Sequence, residues 1–184
     1  EVPACRTRVD RDMTVTLPEA KRLKILTEGT QVPVTPDGTD RYALAFDIGT
    51  TTVAAALFDG GSGAVLARES CPNPQRRYGA DVISRIAACG EGKLELLTKL
   101  IRDASADLCA RLLSGKRTAD IMTICGNTTM LHIFCGVDPS PIGAAPYTPV
   151  FTEMKEFPGE DLGLPVETVF VLPSAAGYIG SDVV

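Results

Sequence analysis

Histidine is nearly absent from this chain: among 184 residues the only one is His132. No serine or cysteine stands in a nucleophile elbow, so a Ser–His–Asp hydrolase or a histidine-rich metal site is not expected. The six cysteines, at 5, 71, 89, 109, 125 and 135, make no C-x-x-C pair and no dense disulfide pattern. That usage suits a reducing, cytoplasmic setting. Long apolar runs are missing too. Stretches such as Tyr42–Phe46 and Val166–Leu172 fall far short of the roughly 20 residues a membrane helix needs, and no signal peptide is visible, so no membrane partner is expected. A basic excess is lacking, with 18 Lys and Arg against 23 Asp and Glu for a net charge of −5. This disfavours nucleic acid as the main partner without excluding a nucleotide. Neither repeats nor low-complexity segments occur.

Two phosphate motifs are also absent. Around Gly115-Lys116, Ala110 stands where a P-loop needs its first glycine and Thr118 falls one place late. Gly61-Ser-Gly63 has Leu66 where a dinucleotide fingerprint needs its third glycine.

What remains is ordinary globular composition, 45% apolar and 22% charged, with enough length for a real core. The chain starts at Glu1 without Met and stops within an apolar run at Val184, so a piece of a longer protein is expected. Residues 1–41 are poor in apolar side chains and punctuated by Gly29, Pro33, Pro36 and Gly38. They read as one short strand, Met13 to Leu17, followed by a linker over 18–41. From Tyr42, YALAFDIGTTTVAAALFDGGSGAVLARES contains three strand-like runs broken at DIGTTT and at Asp59-Gly-Gly-Ser-Gly63, an antiparallel meander. Helical periodicity follows over Val82, Ile83 and Ile86, and again over Leu94, Leu97, Ile101, Ala104, Leu108 and Leu112, with a glycine stop near Gly115. Ile121 to Cys125 reads as a buried strand turning at Gly126-Asn-Thr into a helix that ends near Cys135. A Pro-rich surface loop over Asp138 to Pro149, a fifth strand over Val166 to Leu172 and a helix from Pro173 complete the chain. Three antiparallel strands followed by parallel additions with helical crossovers describe a ribonuclease-H-like α/β subdomain, a mixed five-stranded sheet with helices on its faces.

The sharpest motif is Asp47-Ile-Gly-Thr-Thr-Thr52. Gly49 permits close backbone approach, Thr50, Thr51 and Thr52 carry hydroxyls for phosphate oxygens, and Asp47 can hold hydrated Mg²⁺. Three β-branched residues in a row are a poor choice for a merely structural turn. Gly126, Asn127 and Thr128, at a strand's carboxyl end and opening a helix, form the second candidate, facing the same rim. By themselves these residues equally suit a helix cap. Arg76 and Arg77, in the loop Pro74 to Asp81, are kept only as partner contacts.

FDIGTTTVAAALFD resembles the first phosphate motif of the actin, sugar kinase and heat-shock chaperone superfamily, and Leu172-Pro-Ser-Ala-Ala-Gly-Tyr178 resembles its first connecting segment between subdomains. More narrowly, DIGTTTVAAAL, NPQRRYGADVISRI and GNTTMLHIFCGVDPSPIGAAPYTPVF together resemble the reductive activators of corrinoid proteins. The likeness spans about residues 42–184. It implies that 42–184 is the first subdomain of an actin-like ATP-binding domain, truncated here. It implies also that 1–17 is the end of a ferredoxin-type domain in which Cys5 is the fourth ligand of a [2Fe–2S] cluster, its three partner cysteines lying upstream.

On this resemblance the full-length protein is an ATP-hydrolysing enzyme. It passes an electron to a corrinoid cobalt, Co(II) to Co(I), and ATP and Mg²⁺ drive the conformational change. Asp47 would position Mg²⁺ through water, Gly49 to Thr52 would hold the terminal phosphates, Asn127 and Thr128 would face them, and Asp182, on the connecting helix, would orient the attacking water. The isolated fragment is expected to be inactive, and the oligomeric state, a homodimer included, stays open. The alternatives are a small-molecule kinase of the same superfamily and a nucleotide-gated scaffold.

Overall fold

The structure is a computed structural model that describes residues 35, 38, 41–114 and 118–183. Cys5, the strand over Met13–Leu17, nearly all of the 18–41 linker and the stop at Gly115 lie outside these residues.

Six strands form one mixed sheet: β1 (Tyr42–Ile48), β2 (Thr52–Asp59), β3 (Val65–Pro72), β4 (Ala119–Gly126), β5 (Lys155–Pro158) and β6 (Val166–Val171), in the order β3-β2-β1-β4-β6-β5. The first three pair antiparallel as the expected meander. β4 then joins β1 in parallel, and β6 joins β4 in parallel. The strand order is that of the expected ribonuclease-H-like, actin-like subdomain. The strand absent from the sequence reading is β5, an edge strand antiparallel to β6. Its four residues carry no periodicity of their own and are ordered by the pairing.

Alternation decides what the strands bury. In β1 the large side chains Leu44, Phe46 and Ile48 are buried, and Val53, Leu57, Met122, Ile124, Val169 and Val171 join them in one core. The long helix α2 (Leu94–Leu113) covers this face with Ile101, Leu108 and Leu112, and α3 (Thr128–Cys135) adds Met130, Leu131 and Phe134. Each such side chain contributes about 1.5–3 kcal/mol on burial. The alternate positions of β1, Ala43 and Ala45 partly covered and Asp47 exposed, lie on the other face.

Three sequence expectations need correction. The surface loop over Asp138 to Pro149 holds a short helix, α4 (Ser140–Gly143), whose Ile142 is fully buried. The helix from Pro173 does not form within the described residues. Residues 173–183 run as turns with one antiparallel bridge, Ala176 to Ile179. Gly180 explains why: a Cβ there would stand 2.1 Å from the Gly126 carbonyl oxygen and 2.6 Å from Asn127 Cα, so the segment lies directly against the end of β4. Asp182 therefore stands in a turn, not on a helix. Among the described residues no helix is long and apolar enough to cross a membrane.

Candidate functional site

The parallel pairing of β1 with β4 sets Asp47 beside Cys125 and Ile48 beside Gly126, so both motifs end on one rim of the sheet. Ligands of open α/β sheets collect at such carboxyl ends.

The β1–β2 turn is held from behind. Asn73, itself buried, donates its Nδ2 to the Gly49 carbonyl at 2.9 Å and its backbone N–H to the Thr51 carbonyl at 2.9 Å. Arg85, fully buried on α1 (Val82–Ala88), donates Nη2 to the Thr50 carbonyl. All three carbonyls of the turn thus have partners. Among the described residues, the amides of Gly49, Thr50 and Thr51 and the hydroxyls of Thr50, Thr51 and Thr52 donate to no protein group. Acceptors are engaged and donors are free, which is the polarity an anion needs. Gly49 is required by the turn itself, since a Cβ would stand 2.8 Å from the Thr52 carbonyl oxygen.

Asp47 is exposed at this mouth. Its carboxyl is held above the ordinary range, first by the protein atoms that displace water around it and second by the charge of Asp182. The same two carboxylates, after desolvation, push the Cys125 thiol up to about 11. Asp47, Cys125 and Asp182 are therefore one electrostatic neighbourhood. The donor set suits Mg²⁺, which takes one or two carboxylates and keeps water and phosphate oxygens for its other positions. Among the described residues no group of three or more His, Cys, Asp or Glu could hold a metal by itself.

The second motif is structural in its side chains. Asn127 caps α3 by accepting from the Thr129 amide at 3.0 Å. Thr128 is fully buried and donates its hydroxyl to the Ala176 carbonyl at 2.6 Å, so that hydroxyl is engaged within the protein. The Gly126 amide donates to Ser181 Oγ at 3.2 Å. What this motif does is seat the terminal segment, and with it Asp182, over the end of β4.

Sequence reasoning missed Asn73, Gln75 and Arg85. Gln75 is fully buried; its Oε1 accepts from Arg85 at 3.2 Å and its Nε2 donates to the Leu97 carbonyl at 2.9 Å. All three missed residues lie within NPQRRYGADVISRI, one of the segments that carry the family resemblance. His132 is fully buried, with Nδ1 2.8 Å from the Thr128 carbonyl.

The RACo middle region family model matches residues 42–184. This chain belongs to that family. The chain is 33% identical over 176 residues to the corrinoid activation enzyme RamQ of Eubacterium limosum, covering 88% of this chain and 30% of that protein. A solved structure named as a reductive activator for corrinoid, iron-sulfur protein matches with a TM-score of 0.75 at 34% identity, over 79% of this chain and 25% of that one. The chain thus spans less than a third of either relative. The narrower of the two sequence resemblances, to reductive activators of corrinoid proteins, agrees with this membership.

Proposed function

We propose that this chain is the phosphate-gripping part of an ATP-driven enzyme that reductively activates a corrinoid protein, returning cobalt from Co(II) to Co(I). The observation that carries the reading is the β1–β2 turn. Its carbonyls are tied back by Asn73 and Arg85, its amides and hydroxyls find no partner among the described residues, and Asp47 and Asp182 flank it. The names of the relatives support the choice of a corrinoid protein as partner.

In this reading the Gly49 to Thr52 turn receives the terminal phosphates. Asp47, with Asp182 beside it, would hold Mg²⁺ through water, and the metal would supply charge neutralisation at the phosphates. After desolvation, the charge of Asp182 raises the proton affinity of Asp47, and a divalent cation would relieve that repulsion. Asp182, set on the terminal segment, orients the water that attacks the terminal phosphate. Binding at the rim draws the turn and the terminal segment together, a motion that can be passed to a partner protein. The electron would come from the [2Fe–2S] cluster that the resemblance assigns to Cys5 and cysteines upstream.

The test uses the full-length protein with its corrinoid partner, a low-potential reductant and MgATP, following Co(I) formation by visible absorption. ATP-dependent reduction is expected, and Asp47→Asn should slow ATP turnover by at least ~10²-fold, the scale for losing one electrostatic stabiliser. Reduction at the same rate without ATP would overturn the proposal.

A further inference from the structure

Arg85 is a fully buried cation without an ionic partner: among the described residues no carboxylate pairs with it. Its acceptors are neutral, namely the Gly79 carbonyl at 3.1 Å, Gln75 Oε1 at 3.2 Å, Met130 Sδ at 2.9 Å and the Thr50 carbonyl. Of the charged groups that act on it, Asp81 favours the cation and Arg76 opposes it. The Asp81 carboxylate is exposed and already accepts from the Ser84 amide and hydroxyl. Burial, the largest influence, pushes the guanidinium down to about 10, so it stays protonated at neutral pH. A buried charge held only by dipoles is costly, and an anion arriving nearby lowers that cost.

The bonds to the turn have a further effect. The Gly49 carbonyl and the Thr50 N–H belong to one peptide group, as do the Thr50 carbonyl and the Thr51 N–H. A donor on the carbonyl side polarises the group and strengthens its N–H as a donor. Asn73 acts in this way on the first peptide and Arg85 on the second. A charged donor does so more strongly than a neutral one.

We infer that Arg85 and Asn73 are positioning residues for a bound polyphosphate: they fix and polarise two successive peptide groups whose Thr50 and Thr51 amides receive the terminal phosphates, and Arg85 is the buried counter-charge of that anion. This rests on the nucleotide reading above and deepens it. The residues act through the turn and touch no phosphate themselves.

The experiment titrates ATP and adenosine into the full-length protein by calorimetry, for the wild type, Arg85→Met and Arg85→Lys. Arg85→Met should weaken ATP by about 10- to 100-fold, the worth of a hydrogen bond to a charged group, and leave adenosine unchanged. Arg85→Lys keeps the charge and loses the fork, so it should fall between. Equal weakening of ATP and adenosine, or no weakening of either, overturns the inference. A wild type that binds adenosine and ATP equally, or neither, overturns the nucleotide reading itself. Should Arg85→Met fail to fold, amide hydrogen exchange of the wild type with inorganic tripolyphosphate decides. Slowed exchange at Thr50 and Thr51 supports the inference, and unchanged exchange there overturns it.

Discussion

Protonating His132 should loosen the hold on segment 173–183, which carries Asp182. The ring is fully buried and stacked on Phe151 with centroids 4.2 Å apart. Its Nε2 accepts from the Val150 amide at 3.1 Å and the Phe151 amide at 3.4 Å, which fixes the proton on Nδ1, donated to the Thr128 carbonyl. A proton on Nε2 would turn that acceptor into a donor facing two N–H groups. Burial accordingly holds the ring below its ordinary value, with the Thr128 bond and the Glu153 charge pulling the other way. A lowered histidine means that the unfolded chain binds more protons, so stability is full above the unfolded value of 6.5 and falls as pH drops through it. The slope approaches ~1.4 kcal/mol per pH unit, about tenfold in the local opening constant, until the folded value is reached. Glu153, held at about 2 by Lys155 and nearby amides, stays ionised throughout and adds no slope. Amide hydrogen exchange at Val150 and Phe151, corrected for intrinsic rates, should show opening increase from pH 7.5 to 5.5, and His132→Gln should abolish that dependence. A flat wild-type profile, or an equal slope in the variant, would refute the reasoning. The effect reaches the rim because the next residue, Thr152, accepts from the Ser174 amide at 2.8 Å, and Ala176 accepts from Thr128.

Two further predictions concern the rim. Gly180→Ala forces a methyl group against the Gly126 carbonyl and Asn127 Cα; it should cost about 1–3 kcal/mol in urea unfolding and weaken nucleotide binding by displacing Asp182. Asp182→Asn removes the like charge that helps raise Asp47; a carboxyl-carbon NMR titration should show Asp47 ionising at lower pH, and an unmoved titration would separate the two carboxylates.

The sheet was readable because its evidence is local. Alternation in YALAF and VAAALF names the buried face, and a turn of three threonines after Asp-Ile-Gly is poor turn chemistry that calls for another explanation. Arg85 could not be read in that way. Hydropathy counts an arginine as a solvent-facing position, and the neighbouring Ile83 as buried, whereas Ile83 is 56% exposed and Arg85 fully buried. The inversion depends on acceptors 6, 10 and 35 residues away in sequence, which no local pattern shows. Pro173 likewise looks like a helix start until Gly180 is seen pressed against Gly126. Thr128 illustrates a different limit: a hydroxyl at a helix start has the same sequence signature whether it meets a phosphate or, as here, the carbonyl of Ala176.

The mouth combines two opposite electrostatic features, and the combination narrows what can enter. A turn with free amides and hydroxyls above a buried guanidinium attracts an anion. Two carboxylates beside it, Asp47 already pushed toward its protonated form by desolvation and then by the charge of Asp182, repel the same anion. A free phosphate satisfies the first feature and suffers from the second. A lone divalent cation meets the carboxylates and is repelled by Arg85. On the proposed nucleotide reading, a polyphosphate with its metal, which carries both charges, would match the whole rim. For that reason phosphate affinity without Mg²⁺ should rise when Asp182 is neutralised, and affinity with Mg²⁺ should fall; equal changes in both conditions would show that the carboxylates act on the fold and not on the ligand.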